Sequence, residues 1–345
     1  MAPWFFWGTD GGAFLTMIYE FALEPELVAR WCERKEYLFF KEKFGLRSRR
    51  IISTYPKKWK KFVWDAFKSG PSANNQNAQM RMTELVQFLW QNSIKRPSTF
   101  PEIMIWLERA EAEHAERPFH AILATDNPRN KSFVIPANDI IENEHELWEI
   151  PDSDSTPRNP AEISETLSPL IRLCHHALLV DPYFDPNKDR FCQTLKAILN
   201  KCKGNVCGTE HLNIELHTSI DRFFRNWDRG KNRDSVSENN VYANFVLDCK
   251  NRIPGLVPEG IQLKIVVWKQ RDNGEKLHNR YLLTDMFGVM FGTGSDAASN
   301  PDSIESDDIV LLEEGQYLNR YKQYSSTTPA FDLVGKPFEI TGRKV

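Results

Sequence analysis

The sequence contains few cysteines and no long apolar run. Its six cysteines are irregularly spaced over 345 residues, which is too sparse for a disulfide framework and favours a reducing compartment. No stretch approaches the run of about 18 apolar residues that a transmembrane helix needs. The first residues lack the basic start, the apolar core and the cleavage site of a signal peptide. We therefore expect a cytoplasmic protein without a transmembrane segment.

Charge of one sign is not in excess either. The formal net charge of −3 excludes a globally basic nucleic-acid-binding protein but allows local basic patches. Two basic clusters lie close together in the sequence, GLRSRR at 45–50 and PKKWKK at 56–61. The second cluster surrounds one tryptophan with four lysines: Lys57, Lys58, Trp59, Lys60 and Lys61. This composition favours contact with a phosphate backbone and stacking on a base, although it also fits the solvated face of a helix or an anionic membrane surface.

Apolar spacing divides the chain into two regions. From Leu15 to about Ala115, apolar residues recur at the three- and four-residue spacing of helices. The segments FHAILA and SFVIPA then predict two short strands. The segment 150–160 is rich in Pro, Ser, Asp and Asn and marks a boundary. We predict a mostly helical α+β domain over residues 1–155 and an α/β domain over residues 160–345.

The second region alternates helical and strand patterns, which predicts a sheet flanked by helices. Asp181 and Tyr183 follow a predicted strand, and His217 lies at the end of the next one. Open α/β sheets bind ligands at the carboxyl ends of their strands, so these three residues are candidates for lining a pocket. The composition of DPYFDP also suits a turn for conformational reasons alone.

The segment from Lys276 to Asp296, KLHNRYLLTDMFGVMFGTGSD, carries the most specific pattern in the chain. Two β-prone runs flank a turn signal at 285–288, which predicts a hairpin. His278 and Arg280 are two residues apart, so on an extended strand their side chains point to the same face. An imidazole beside a guanidinium is a suitable pair for binding phosphate.

The spacing of this segment resembles the signature of the phospholipase D-like superfamily, which runs His-x-Lys, four residues, Asp, six residues, Gly-Ser-x-Asn. His278, Asp285 and Gly292 occupy their positions, whereas Arg280, Thr293 and Ser295 replace Lys, Ser and Asn. The ending GTGSD is also similar to the phospholipase D-like C-terminal domain of MIT-domain proteins and its bacterial relatives, a branch regarded as non-catalytic. The resemblance covers roughly residues 160–312 and implies a mixed sheet flanked by helices.

The resemblance implies covalent catalysis by histidine that needs no metal or other cofactor. His278 would be the nucleophile, Arg280 and Ser295 would bind phosphate together with Thr293, and Asp285 would support the hairpin. Asp307 or Asp308, on the strand after the signature, would orient the histidine ring. Because the chain has one signature and the family uses two histidines, a homodimer would complete the site.

Two functions follow from these observations. The first is a metal-independent phosphodiesterase, a nuclease acting as a homodimer, and the general architecture suggests a prokaryotic defence protein. The second is a non-catalytic binding or adaptor module in which the same cleft holds a ligand within a multiprotein complex.

Overall fold

The computed structural model describes residues 18–45, 47–96, 104–142, 145–149, 155–204, 212–223, 237–300 and 303–342. Its strands form two sheets, one built from residues before 137 and the other from residues after 154. The segment 150–154 of the predicted boundary lies outside the described residues. None of the described helices is long and apolar enough to cross a membrane.

The first sheet has five parallel strands in the order β3-β2-β1-β4-β5. The strands are β1 (Tyr19–Leu23), β2 (Arg50–Thr54), β3 (Ser93–Lys95), β4 (Ala121–Ala124) and β5 (Val134–Pro136). The helices that accompany them are α1 (Pro25–Arg30), α2 (Arg34–Lys43), α3 (Trp59–Ser69), α4 (Gln76–Gln91), α5 (Trp106–Glu116) and α6 (Ala137–Glu142). This part of the chain is therefore a layered α/β unit.

The organisation of this unit corrects the prediction of a mostly helical region with a small β element. The two strands predicted from the sequence, β4 and β5, form one side of a sheet whose central strand is β1. All five residues of β1 are buried, as are four of the five in β2. A parallel strand that is covered on both faces does not alternate between polar and apolar residues. The apolar residues of β1 therefore also fit the helical spacing predicted for this part of the sequence.

The second sheet is mixed and follows the order β13-β9-β8-β7-β10-β11-β12-β6, with β14 also paired to β9. Its strands are β6 (Ser155–Pro157), β7 (His176–Val180), β8 (Asn213–Ser219), β9 (Gln262–Lys269), β10 (Arg280–Thr284), β11 (Gly288–Phe291), β12 (Ser306–Leu311), β13 (Asp332–Leu333) and β14 (Phe338–Thr341). The helices are α7 (Pro160–Arg172), α8 (Asp189–Lys201), α9 (Glu238–Arg252) and α10 (Glu314–Ser325).

The strands β7, β8 and β9 are parallel, and the remainder of the sheet is antiparallel. Helices alternate with strands along this region, as its sequence pattern predicted, so the chain is α/β at this level. The structure also contains the predicted hairpin as β10 and β11, with Leu282 paired to Val289.

Helix α7 connects the two units through apolar packing. Its residues Ile163 and Leu167 belong to the same buried cluster as Ile18, Ile51 and Ile94 of the first unit. Asn159 caps the helix by accepting from the amide of Glu162 at 3.0 Å, and a proline occupies its first turn. The two sheets are thus held together by a helix that is buried on more than one face.

Candidate functional site

The signature hairpin presents His278 and Arg280 at the start of β10. Arg280 is the first residue of the strand, and His278 precedes it by two residues in an extended segment. The imidazole of His278 is exposed, whereas Arg280 is half-buried. The other end of the hairpin is closed by Thr284, whose Oγ1 accepts from the amide of Phe287 at 2.8 Å. The strand pairing therefore fixes Arg280 and leaves His278 accessible.

Tyr183 brings these two side chains together. Its hydroxyl is hydrogen-bonded to Nδ1 of His278, and the guanidinium of Arg280 lies over its ring at 4.3 Å from the centroid. The rings of Tyr183 and His278 meet edge to face with centroids 5.7 Å apart. Asp181 fixes the turn after β7 because its Oδ1 accepts from the amide of Tyr183 at 2.8 Å. The predicted pocket residues Asp181 and Tyr183 thus lie beside the hairpin.

The guanidinium of Arg280 has few polar contacts with the described residues. Its Nε is buried without a hydrogen-bond partner, and no ion pair among the described residues includes it. The carboxyl of Asp181 interacts electrostatically with the guanidinium of Arg280. Burial raises the pKa of this carboxyl. The hydrogen bonds from Ser295 and from the amide of Tyr183, together with the charge of Arg280, lower the pKa and offset that rise only partly. Both oxygens of Asp181 already accept other hydrogen bonds, Oδ1 from the amide of Tyr183 and Oδ2 from the hydroxyl of Ser295. The guanidinium is therefore available to an external anion.

Ser295 and Thr293 do not point towards an incoming phosphate. Ser295 is buried and donates its hydroxyl to Oδ2 of Asp181 at 2.5 Å. Thr293 donates both its amide and its hydroxyl to Oδ1 of Asp307, at 2.7 and 2.6 Å. The prediction that these two residues bind phosphate is corrected, because their hydroxyls are already used within the protein.

Asp307 and Asp308 do not orient His278. Asp307 is buried and holds the loop before it, accepting from Thr293 and, through Oδ2, from the amide of Gly294 at 3.3 Å. A Cβ at Gly292 would lie 2.7 Å from Asp307 Oδ1, so the close approach requires glycine there. Asp308 is exposed and pairs with Ser155 on β6. Tyr183, rather than a carboxylate, contacts the ring.

Asp285 lies at the opposite end of β10 from His278. Its Oδ1 accepts from the amides of His175 and His176 at 2.9 and 3.2 Å, and its Oδ2 lies 3.1 Å from Nδ1 of His175. These contacts attach the hairpin turn to the start of β7. Asp285 therefore has a supporting position and takes no part in the cluster around Tyr183.

His217 is also separate from His278. It is buried, accepts from the indole of Trp268 at 2.9 Å through Nδ1, and contacts Glu215 at 2.9 Å through Nε2. Burial lowers the pKa of His217, while Glu215 opposes that shift. Its main-chain carbonyl accepts from the amide of Asp181 at 2.9 Å, but its side chain faces the aromatic cluster that contains Tyr324. His217 therefore belongs to the sheet interior.

The basic cluster at 56–61 divides into a buried tryptophan and exposed lysines. Trp59 is fully buried and donates its indole N–H to the carbonyl of Leu23 at 2.7 Å, so the prediction that it stacks on a base is wrong. Lys57, Lys58 and Lys61 are exposed. Two ammonium groups lie near the ring of half-buried Trp90, with Lys60 Nζ at 5.4 Å and Lys95 Nζ at 6.0 Å from its centroid.

The sequence analysis did not identify two residues near the cleft, which is the site formed by Tyr183, His278 and Arg280. Arg222 donates to the carbonyl of Tyr183 and pairs with Asp185 at 3.2 Å. Asp296 is buried between Arg158 at 3.2 Å and Arg190 at 2.9 Å. The position of Asp296 directly after Ser295 could have drawn attention to it. No local pattern distinguishes Arg222 from the other arginines.

No protein-family model matches the chain, and no curated protein matches its sequence significantly. Function must therefore be argued from the geometry of the site.

Proposed function

We propose that the chain is a metal-independent phosphodiesterase of the phospholipase D-like type that acts on nucleic acid as a homodimer. One observation carries the proposal. An exposed imidazole, that of His278, and a guanidinium that forms no ion pair with the described residues, that of Arg280, converge on Tyr183. A phosphodiester would pair with Arg280 and place phosphorus within reach of the imidazole.

The reaction would proceed by two displacements at phosphorus. Nε2 of His278 attacks phosphorus and forms a P–N bond, while the bond to the leaving oxygen breaks and that oxygen takes a proton from a second His278. Water then attacks phosphorus, a new P–O bond forms as the P–N bond to His278 breaks, and one water proton passes to the second imidazole. Arg280 binds the non-bridging oxygens, whose negative charge persists throughout.

A second copy of the chain would provide the second imidazole. The described residues contain one cluster of this kind, and two copies related by a two-fold axis would bring two His278 side chains to one phosphate. His278 is exposed, which is compatible with such an approach. Mixed dimers of wild type with His278→Ala would then have much less than half of the wild-type activity.

Nucleic acid is the favoured substrate because of the surface around α3. No carboxylate among the described residues forms an ion pair with Lys57, Lys60 or Lys61, and half-buried Trp90 offers an aromatic ring close to Lys60 and Lys95. Lysines that lack protein partners can follow a phosphate backbone, and a partly exposed indole can stack on a base.

The second candidate is a binding module that recognises a phosphate without cleaving it. It is favoured by the inward hydrogen bonds of Ser295 and by the absence, among the described residues, of a carboxylate on His278. Such a module would bind the same ligand through Arg280 and would act as an adaptor in a larger complex.

Cleavage of labelled DNA and RNA in EDTA tests the proposal. Wild type should cleave at least one of them, and His278→Ala should not. His175→Ala is the matched control and should retain activity. His175 is also exposed, but it contacts Asp285 at the opposite end of β10 from His278. Binding that needs Arg280, without turnover in the wild type, would favour the adaptor instead.

A further inference from the structure

Tyr183 is held more firmly than its half-buried position suggests. Its amide donates to Asp181, its carbonyl accepts from Arg222, and its ring lies under Arg280. Asp181 is in turn held by the hydroxyl of Ser295. The position of its hydroxyl is therefore set by the protein before any ligand arrives.

We infer that Tyr183 is the positioning residue of His278, and that its hydroxyl lets the imidazole serve in either of two roles. The inference rests on the proposed function and concerns the same site. Among the described residues, the hydroxyl of Tyr183 is the group hydrogen-bonded to Nδ1 of His278. The acidic candidates are committed elsewhere, Asp307 to its loop and Asp285 to the start of β7.

A hydroxyl and a carboxylate act differently on an imidazole. An ionised carboxylate only accepts, so it fixes the proton on Nδ1 and leaves the lone pair on Nε2. A phenol can accept from Nδ1–H or donate to an unprotonated Nδ1. In the first arrangement Nε2 of His278 has a lone pair, whereas in the second it has a proton. Rotation of one hydroxyl hydrogen, accompanied by a tautomer change, converts one into the other.

A site made from two identical histidines needs one partner of Nδ1 that is compatible with both roles. One imidazole attacks phosphorus through a lone pair on Nε2, while the other, protonated on both nitrogens, delivers its Nε2 proton to the leaving oxygen and keeps the proton on Nδ1. When water attacks, the second imidazole takes a proton back on Nε2. The hydroxyl of Tyr183 is compatible with each step, because it can accept from Nδ1–H of a neutral or a protonated ring.

The chain contains a matched control for this contact. Nδ1 of His176 is hydrogen-bonded to the hydroxyl of Tyr321 at 2.8 Å, but its Nε2 faces Glu215 at 3.2 Å. The carboxylate accepts from Nε2–H, so the tautomer of neutral His176 is fixed by Glu215 rather than by its phenol. Tyr321→Phe therefore repeats the chemical change of Tyr183→Phe at a distant histidine with a fixed tautomer.

The test combines nuclear magnetic resonance with kinetics on the full chain. Ring ¹⁵N shifts of labelled histidines report the tautomer and the hydrogen bonds of each ring, and the His278 signals are those missing from His278→Ala. At a pH where imidazole is neutral, Tyr183→Phe should move the ring signals of His278 and leave those of His176 in place. Tyr321→Phe should do the reverse. Unchanged His278 signals in folded Tyr183→Phe would overturn the inference.

The kinetic readout separates positioning from folding. Tyr183→Phe keeps the ring under Arg280, so KM should change little while kcat falls about tenfold, the equivalent of one hydrogen bond. Tyr321→Phe should leave kcat unchanged. A loss confined to KM would contradict a positioning role. If the wild type shows no turnover, the proposed function fails, and the ring signals alone decide whether Tyr183 positions His278.

Discussion

At the scale of single residues, Arg280 has a buried Nε without a hydrogen-bond partner and forms no ion pair with the described residues. Arg280→Ala should weaken binding of a phosphodiester about ten- to a hundredfold, because a hydrogen-bonded charge is removed from the site. Arg280→Lys should lose less, since the charge remains while the bidentate geometry and the stacking on Tyr183 are lost. Affinity measured by calorimetry with His278→Ala as the background avoids turnover.

The control for Arg280 is Arg271→Ala. Arg271 pairs on the surface with Asp332 at 2.7 Å and lies outside the cleft, so its loss should leave the affinity unchanged. Equal affinity in Arg280→Ala and wild type would remove the basis for a phosphate site at the hairpin.

Gly292 illustrates a residue whose small size is required by a single contact. Gly292→Ala would place a methyl group 2.7 Å from Asp307 Oδ1, and the loop would have to shift. We expect the free energy of unfolding to fall by about 1–3 kcal/mol. Gly315→Ala is the comparison, because no atom lies within 4 Å of a Cβ there and the residue is in α10. Urea unfolding should find Gly315→Ala neutral or slightly stabilised.

At the scale of elements, α3 carries a buried tryptophan beside the lysines that we propose bind nucleic acid. Trp59→Phe removes the indole that donates to the Leu23 carbonyl, so it should lower the free energy of unfolding by about 1–3 kcal/mol without changing nucleic-acid affinity. Lys60→Glu should leave stability unchanged and weaken binding. In a plot of log affinity against log salt concentration, the slope for Lys60→Glu should be shallower than that of the wild type by about 1, because one phosphate contact is lost.

A charge reversal outside this surface controls for net charge. Lys322→Glu changes the same charge on α10, in the other unit, and should leave affinity and salt slope as in the wild type. If Lys322→Glu and Lys60→Glu weaken binding equally, the surface around α3 has no special role.

The elements of the two sheets differed in how well the sequence predicted them. In the second sheet, β7, β8 and β9 are recognisable from the sequence because helices and turn residues separate them, and the hairpin of β10 and β11 because a turn signal lies between two β-prone runs. The short strands β6, β13 and β14 are not, and β6 lies within the segment predicted as a domain boundary. β1 and β2 were not recognised, since their side chains are buried on both faces and resemble a helix in composition. Burial on two faces is a tertiary property that a local pattern does not record.

At the scale of the whole molecule, the half-buried His114 and His120 should make the first unit sensitive to acid. Burial lowers the pKa of His114 to about 4, with further lowering from Arg96 and His120, and burial lowers that of His120 to about 4. An unfolded histidine has a pKa of about 6.5. At pH values between about 4 and 6.5 the unfolded chain binds more protons than the folded chain. The first unit therefore has its full stability above about pH 6.5 and loses stability as the pH falls towards 4.

The size of this effect can be measured by urea unfolding at pH 7 and pH 5. Each histidine should contribute about 2 kcal/mol less stability at pH 5 than at pH 7. His114→Phe keeps the stacking on Phe133, whose ring centroid lies 3.8 Å away, and removes the titrating group. The loss between the two pH values should therefore be smaller in this variant. An unchanged loss would show that His114 does not titrate with folding.

The site was predicted only as far as local spacing allows. The two-residue spacing of His278 and Arg280 identified the pair, and the position of Tyr183 after a strand placed it near the cleft. The choice of Tyr183 over Asp307 as partner of His278 depends on how β7, β10 and β12 are arranged side by side. That arrangement joins residues about a hundred positions apart, which no local motif encodes.

A trapped covalent intermediate tests the central claim most directly. Wild type mixed with end-labelled nucleic acid and quenched in alkali, where phosphohistidine persists, should carry label that acid then releases. His278→Ala should carry none, and His175→Ala should carry as much as the wild type. Label that persists in His278→Ala would contradict the assignment of His278 as the nucleophile. A wild type that binds nucleic acid but acquires no label and shows no turnover would identify the cleft as a binding site.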